Sequence, residues 1–262
     1  MRSSSLLYHD VLPDGIPLEQ SGFRGPARYK LRVSSFNEHL SSIIKAGFSA
    51  SRAIELIATE PTPLFLTFDD GGRSCFEVIA PALEEKGWYG HFFIATRFIN
   101  QPGFMTDRQI AELHENGHVI GAHSASHPLR MSSLSDGELQ EEWKESVRIL
   151  TELLGQDITV ASVPGGGYSK RVALTAAREG IKVLFTSEPV SRSTCIDGCQ
   201  ILGRYSILDD TSAETAAELA GLKTLPRLRQ FMWWNAKKLM KITLGRHYLS
   251  LRESLLPRSD PY

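Results

Sequence analysis

Short apolar runs alternate with amphipathic stretches along most of this chain. The predicted strands are Leu64–Phe68, His91–Ala95, Val119–His123, Thr159–Val163, Val183–Ser187 and Gln200–Ile207, and the predicted helices between them are Cys75–Lys86, Asp107–Glu115, Asp136–Leu154 and Lys170–Glu179. A regular succession of strand and helix is typical of a parallel sheet covered by helices. The sequence therefore predicts an α/β architecture, either a parallel barrel or an open parallel sheet.

Polar residues mark where several of these helices begin. Thr106 and Ser135 stand directly before two of them, and either Ser34 or Ser35 is expected to cap a further helix over Phe36–Ala46. A hydroxyl at this position accepts a hydrogen bond from an amide of the first helical turn.

The chain divides into three predicted segments. Residues 1–60 are expected to supply an N-terminal strand and helix packed on the barrel, with a further short strand or helix over Ala53–Ala58. Residues 61–215 form the central catalytic domain, and residues 216–262 form a basic, aromatic-rich helical tail. A length of 262 residues is enough for one sizeable core with such appendages.

Composition narrows the class of protein. The hydrophobic fraction of 42% and the charged fraction of 23% are ordinary for a globular protein, and a net charge of −1 argues against bulk nucleic-acid binding. No apolar run approaches the roughly 18 residues of a membrane span, and the N-terminus lacks a secretory hydrophobic region. Three cysteines, an odd number, fit a reducing compartment, so a cytoplasmic location is expected.

The tail differs from the rest of the chain in its charge. Between Leu222 and Leu256 the only acid is Glu253, while the basic residues are Lys223, Arg227, Arg229, Lys237, Lys238, Lys241, Arg246 and Arg252, interleaved with aromatic and aliphatic residues. One interpretation is an apolar stripe packed on the barrel with solvated charges. The other is a peripheral contact with the inner face of a membrane through anionic lipid.

Two short motifs carry the candidate chemistry. Asp69 and Asp70 close the predicted strand Leu64–Phe68, and His123 and His127 follow a later strand. One Asp with two His offers the three protein ligands of a hydrolytic zinc site and leaves a position open, while the second Asp is left as a base. Both motifs fall at carboxyl ends of strands, where ligand sites of α/β folds gather.

These residues also carry a family resemblance. Thr67-Phe68-Asp69-Asp70-Gly71 followed by His123-Ser124-Ala125-Ser126-His127 resembles the motifs of the polysaccharide deacetylase family, also called carbohydrate esterase family 4 or the NodB homology domain. The resemblance implies a distorted parallel (β/α) barrel, one divalent metal, usually zinc, and removal of acetyl groups from N-acetylated sugars. It also implies that Asp70, His123 and His127 are the metal ligands and that Asp69 is the general base.

The third motif of the family has drifted. Ser162 stands near the place of the family's arginine, and Pro164, Gly165 and Gly166 follow where the family uses backbone as a pocket wall with an amide near the developing oxyanion. We expect these three residues to contact substrate, against the alternative of a flexible loop. Glycine permits a close approach of backbone to a ligand.

Arg204 is expected to replace that missing arginine. It lies in a late strand that would neighbour the first strand of a closed barrel, and a buried charge needs a partner, which is either Asp69 or Glu188. Glu188 follows its own strand on the same rim and is a candidate substrate contact. An exposed arginine and a plain loop acid are the alternatives.

The histidine of the family's last motif is absent, since Ile207-Leu208-Asp209-Asp210 takes its place. Amide hydrolysis needs a proton for the leaving amine. His91 starts its strand and His118 precedes the next one, so both should lie at the opposite end of the barrel, whereas His9 ends a strand as Asp69 does. We therefore expect His9 to be the acid or a substrate ligand, with a structural histidine as the alternative.

The function predicted from these residues is removal of an N-acetyl group from an amino sugar during synthesis of a surface polysaccharide or glycan. The expected substrate is a lipid-linked or nucleotide-linked sugar. Two alternatives stay open: hydrolysis of a non-sugar amide or a cyclic ureide on the same scaffold, and a non-catalytic carbohydrate-binding relative.

Overall fold

A computed structural model describes residues 1–17, 25–52 and 62–236. Its strands are β1 (Ser4–Tyr8), β2 (Asp10–Leu12), β3 (Lys30–Arg32), β4 (Leu64–Phe68), β5 (His91–Ile94), β6 (Val119–Ala122), β7 (Val160–Ser162), β8 (Val183–Phe185), β9 (Thr194–Ile196), β10 (Cys199–Leu202) and β11 (Tyr205–Ser206). Its helices are α1 (Val33–Lys45), α2 (Ala80–Glu84), α3 (Asp107–Glu115), α4 (Asp136–Leu154), α5 (Lys170–Arg178) and α6 (Ala213–Ala220). A further helix covers residues 224–236.

Nine strands form one curled sheet in the order β11-β1-β4-β5-β6-β7-β8-β10-β9. All neighbours pair in parallel except β9 and β10, which form an antiparallel hairpin. β10 pairs with β8 while β11 pairs with β1, and only Gly203 and Arg204 separate β10 from β11. This continuous stretch joins the two sides of the sheet, so the predicted distorted (β/α) barrel is confirmed.

The register of the strands brings their carboxyl ends to one rim. Tyr8 lies opposite Phe68, and Ala122 lies opposite both Ile94 and Ala161. The loops that follow β1, β4, β6, β7 and β8 therefore leave the barrel at one end. Every residue of β4 is buried, because a parallel strand inside the barrel has no water-facing side.

Helix boundaries follow the polar signals at two of the three predicted caps. Thr106 and Ser135 each form a capping box with the side chain three residues later. The predicted serine cap of α1 is wrong: α1 begins at Val33, and its N-cap is Arg32, without a side-chain hydrogen bond. The helix predicted over 75–86 begins as a π-helix over Cys75–Ile79 and continues as α2.

The N-terminal segment differs from its predicted placement on the outside of the barrel. β1 is a strand of the barrel itself, between β11 and β4, so a division at residue 60 separates β1 from strands with which it pairs. α6 and the hairpin partner β9 were not predicted from the sequence. The strand or helix predicted over Ala53–Ala58 and the tail beyond residue 236 lie outside the described residues. Within the described part of the chain, no helix has both the length and the apolar character needed to cross a bilayer.

Candidate metal centre

Asp70, His123 and His127 converge at the rim of the barrel. Asp70 Oδ1 lies 3.2 Å from His123 Nε2 and 3.1 Å from His127 Nε2. One ligand atom from each of the three residues lies within 4.8 Å of the others. Asp70 and His123 are buried, and His127 is partly so. The structure thus brings together the three residues that the sequence motifs predicted as metal ligands.

The loops that carry these residues are tightly folded. Asp70, Ser124 and His127 have φ values of 76°, 60° and 55°, in the left-handed region that non-glycine residues seldom adopt. The Ser124 hydroxyl accepts the His127 amide at 3.0 Å. Such conformations persist only where the surroundings fix them, and they concentrate at functional sites.

Glu142 of α4 holds the histidine loop from outside. Its carboxylate accepts the amides of Ala125 and Ser126 at 3.0 and 2.9 Å and the Ser126 hydroxyl at 2.5 Å. Sequence reasoning missed this residue, because it lies inside an amphipathic helix where a glutamate is expected to be solvated. Its position a few turns after a loop with exposed amides was the only available signal.

Asp69 faces the cluster from the opposite side and forms a two-point ion pair with Arg204. Arg204 donates from its two terminal nitrogens to Asp69 Oδ1 at 2.6 Å and to Oδ2 at 2.8 Å. The arginine is fully buried and also donates to the Thr186 carbonyl at 3.1 Å. Of the two partners predicted for Arg204, the structure shows Asp69. Asp69 Oδ2 lies 3.7 Å from His123 Nε2, so the carboxylate also faces the histidines.

Ser162 connects the aspartate to a histidine. Its hydroxyl lies 2.5 Å from His123 Nδ1 and 3.2 Å from Asp69 Oδ1, and its carbonyl lies 3.1 Å from the same Nδ1. Nδ1 therefore carries the proton, and the lone pair of Nε2 is directed toward Asp70. The sequence analysis noted Ser162 only as the occupant of the missing arginine's place.

The surroundings of Asp69 and Asp70 lower the pKa of both carboxylates. Burial raises the pKa of each, but Arg204 holds the pKa of Asp69 below its ordinary value, and His127 holds the pKa of Asp70 well below it. Burial lowers the pKa of His127, and the adjacent Asp70 outweighs this effect and raises it. Asp70 thus offers a carboxylate oxygen to a cation at the point where His123 and His127 meet it.

A divalent metal fits these three residues. Tetrahedral zinc with ligands about 2.0–2.1 Å away separates neighbouring ligand atoms by about 3.4 Å. The observed separations of 3.2 and 3.1 Å between Asp70 and the histidines are close to this value. Two imidazole nitrogens and one carboxylate oxygen are the donor set of borderline metals such as zinc.

The loop over Pro164–Gly166 borders the site as an irregular turn after β7. Gly165 and Gly166 have φ values of 61° and 66°. A Cβ atom on Gly165 would lie 2.5 Å from the Leu129 carbonyl oxygen, and one on Gly166 would lie 3.0 Å from the ring of Trp234. The glycines are therefore required by packing against the histidine loop and against the helix over 224–236. Their predicted contact with substrate stays a prediction.

The other predicted site residues lie on the same rim. His9 follows β1, and its ring centre lies 4.5 Å from that of Tyr29. Burial lowers the pKa of His9, and Asp70 and Asp69 oppose this effect, so His9 lies within electrostatic range of the cluster. Glu188 is half-buried after β8, where its backbone carbonyl accepts the Arg204 amide at 3.0 Å.

Comparison with known proteins agrees with this geometry. The sequence model of the family described as polysaccharide deacetylase matches residues 57–184. YxkH of Bacillus subtilis is 26% identical over 130 residues, which cover 50% of this chain and 46% of that protein. The peptidoglycan-N-acetylmuramic acid deacetylase PdaA of Bacillus subtilis is 27% identical over 132 residues, covering 49% of this chain and 48% of PdaA. The chain thus spans a little under half the length of these relatives.

The fold extends the likeness beyond the matched residues. The Streptococcus pyogenes deacetylase PplD, solved in complex with acetate, superposes with a TM-score of 0.71 at 21% identity, covering 86% of this chain and 98% of that one. At this identity the likeness concerns the fold alone. The sequence-model match and the related sequences thus place residues 57–184 of this chain in the polysaccharide deacetylase family.

Proposed function

We propose that this protein is a metal-dependent hydrolase that removes the N-acetyl group from an amino sugar in a surface polysaccharide or glycan. The observation that carries this proposal is the convergence of Asp70, His123 and His127 beside the Asp69–Arg204 ion pair. PdaA, a related protein, is named for deacetylation of a sugar of peptidoglycan, which supports an N-acetylated sugar as the substrate class.

Asp70, His123 and His127 would hold the metal, and zinc is the ion that their donor set favours. When bound, zinc supplies a Lewis acid that polarises the acetyl oxygen and makes a water reactive near neutral pH. Ser162 fixes the ring of His123, because the hydroxyl and carbonyl of Ser162 both lie within hydrogen-bond distance of Nδ1.

Asp69 acts in this proposal as the general base that takes the proton of the attacking water. Arg204 keeps its carboxylate ionised and oriented through the two-point contact at 2.6 and 2.8 Å. A backbone amide of Gly165 or Gly166 would donate to the oxygen that gains negative charge. The sugar would contact Pro164 and Glu188 on the same rim.

His9 is the proposed donor of the proton that releases the amine. It follows β1 on the rim shared with Asp69, and an amide cannot be cleaved efficiently without protonation of its nitrogen. A substitution of His9 to Gln tests this role, with slower turnover and unchanged zinc content as the expected result. Unchanged turnover would remove His9 from the reaction.

We further propose a cytoplasmic substrate, either a lipid-linked or a nucleotide-linked sugar. The cysteines Cys75, Cys195 and Cys199 are all free thiols, as expected of a reducing compartment.

The deciding experiment combines metal analysis with product detection. Purified protein reconstituted with zinc is expected to retain one equivalent and to release acetate from carriers that contain N-acetylglucosamine. Ammonia or ring opening from cyclic ureides, without acetate from any sugar, would replace the proposed substrate class. Absence of stoichiometric metal would indicate a binding protein on this scaffold.

A further inference from the structure

The helix over residues 224–236 attaches to the barrel through polar contacts. The Gln230 side chain accepts the Ser206 amide at 3.0 Å and donates to the Ser206 carbonyl at 2.8 Å. Arg227 donates to the Tyr205 hydroxyl at 2.8 Å. The inward side of this helix therefore carries hydrogen-bonding side chains, where a surface helix usually carries its apolar stripe.

The outward side of the same helix is apolar. Leu225, Leu228, Phe231 and Met232 are 62%, 48%, 45% and 62% exposed. Leu225, Leu228 and Met232 share one face, because they are spaced three and four residues apart. Exposed apolar side chains that form one continuous face mark an interaction site.

Basic residues border this apolar face. Arg2, Arg192 and Arg227 line a groove of about 500 Å³, and Leu228 and Phe231 form its apolar side. Arg2 and Arg192 are exposed, and no carboxylate among the described residues forms an ion pair with any of the three arginines. The positive charge of these arginines is therefore not neutralised by an ion pair within the described residues.

The sequence maintains the same charge beyond the groove. No acidic residue occurs between Glu218 and Glu253, whereas Lys223 and Arg229 lie in or beside the helix and are exposed. Apolar side chains surrounded by lysine and arginine complement an anionic lipid surface, which accepts the apolar groups below its headgroups and the cations at its phosphates.

We propose that the tail surface, formed by Leu225, Leu228, Phe231 and Met232 with the groove arginines Arg2 and Arg192, docks on a bilayer that contains anionic lipids. The apolar side chains enter the boundary of the acyl chains, and the arginines contact lipid phosphates. This inference rests on the proposed function, since it assigns the carrier of the sugar substrate to the membrane.

A second copy of this chain suits the surface less well. A twofold contact would place the tail surface against itself, so that Arg229, Arg192 and Arg2 of the two copies approach like charges. Nucleic acid would neutralise the arginines but leave the apolar side chains in water. The bilayer is the partner that satisfies both features at once.

The helix that carries the tail surface extends to the loop over Pro164–Gly166. From Leu225 to Trp234 the helix rises about 14 Å, and Trp234 packs against Gly166 in the wall of the site. Leu129, in the histidine loop, is 63% exposed beside Gly165 and extends the apolar rim. A sugar attached to a membrane lipid would thus approach the loop over Pro164–Gly166 from the edge of the docked face.

Vesicle sedimentation of the full chain tests the proposal. We expect binding to vesicles of phosphatidylcholine with 30% phosphatidylglycerol, weaker binding as salt rises, and little binding to phosphatidylcholine alone. Met232→Glu combined with Leu228→Glu should abolish binding. Arg2→Gln combined with Arg192→Gln should weaken it roughly 30-fold, at about one kcal/mol for each charge. Ile44→Glu, at an exposed apolar position of α1, is the matched control.

Equal vesicle binding by the Met232→Glu, Leu228→Glu variant and the unaltered chain would overturn the proposal. So would a dimer that forms without lipid and that this variant dissociates, since the surface would then serve a second copy. A thermal melt of each variant verifies its fold. Zinc content and acetate release from a soluble oligosaccharide test the proposed function separately, so either proposal can fail alone.

Discussion

The two ends of the barrel both contain buried histidines, but among the described residues only the carboxyl end has two histidines that share one carboxylate oxygen. At the amino end, His91 Nδ1 lies 3.1 Å from the Leu66 carbonyl oxygen, and His118 lies 3.0 Å from Glu84 Oε1. At the carboxyl end, His123 and His127 share Asp70 Oδ1. Burial of histidine is thus common to a structural site and a candidate metal site.

The two ends differ in the hydrogen-bond partners of their histidine ring nitrogens. His118 is held by one glutamate and by the Gly90 amide, so both its ring nitrogens are used within the fold. His123 uses only Nδ1 for this purpose and directs Nε2 toward the cluster. A histidine that is oriented by one nitrogen and leaves the other directed at a carboxylate has the arrangement of a ligand.

The largest expected effect comes from removing a ligand at the carboxyl end. His127→Ala should lose bound zinc and reduce acetate release by about 10³-fold or more, because the Lewis acid is lost with the metal. His118→Gln, at the amino end, is the control and should keep both. Metal analysis and turnover are measured together. Retention of one zinc equivalent by His127→Ala would show that the ligand set is different.

Asp69→Asn is expected to lower turnover without loss of zinc. The variant therefore distinguishes the role of the general base from the role of the metal ligands. Asparagine preserves the shape but cannot accept the proton, so turnover should fall about 10³-fold while zinc stays bound. The variant leaves Arg204 with a neutral partner, and a thermal melt therefore accompanies the assay. Turnover equal to that of the unaltered chain would remove Asp69 from the proposed chemistry.

The sequence predicts the difference between the two ends where the residues involved lie in short motifs, and it fails where they are far apart along the chain. The motifs around Asp70 and His123 are short, and the rule that parallel strands present their carboxyl ends together was enough to place them on one rim. The same rule placed His91 and His118 at the other end. The boundaries of α3 and α4 followed from local periodicity and caps, and they match the structure.

Contacts between elements far apart in sequence were less accessible. The contact of Ser162 with His123 depends on the register of β7 against β6. The hydrogen bonds from Ala125 and Ser126 to Glu142 depend on how α4 is rotated over the histidine loop. The membership of β1 in the barrel depends on long-range pairing with β4 and β11. Neither periodicity nor composition contains such information, since both report only on neighbours along the chain.

Ser162→Ala tests whether the Ser162 hydroxyl orients His123 at the carboxyl end. Removing the hydroxyl leaves the Ser162 carbonyl to hold His123 Nδ1, so the ring is less firmly oriented. Zinc affinity should fall about 10-fold, the lower limit for residues that orient metal ligands. Competition with a chelator measures the change. Ser146→Ala, which removes another buried hydroxyl without touching Asp69 or His123, is the control and should bind zinc as the unaltered chain does.

The last prediction concerns the amino end, where the expected effect is on stability and turnover is unchanged. Burial lowers the pKa of His91 from 6.5 to about 4, and Arg52 and His118 add to this effect against the Leu66 hydrogen bond. Between these two values the unfolded chain binds a proton that the folded chain does not. The free energy of unfolding should therefore fall as pH decreases from 6.5 toward 4, by roughly 3 kcal/mol for this group.

His91→Asn tests this linkage, because its amide can still donate to the Leu66 carbonyl but does not titrate. Urea unfolding at pH 7 and at pH 4.5 should show a smaller loss of stability for the variant than for the unaltered chain. Parallel pH dependence of the two proteins would mean that His91 is protonated in the folded barrel. The amino end would then tolerate a buried imidazolium without a carboxylate, and the contrast with the metal centre, where carboxylates set the charge, would no longer hold.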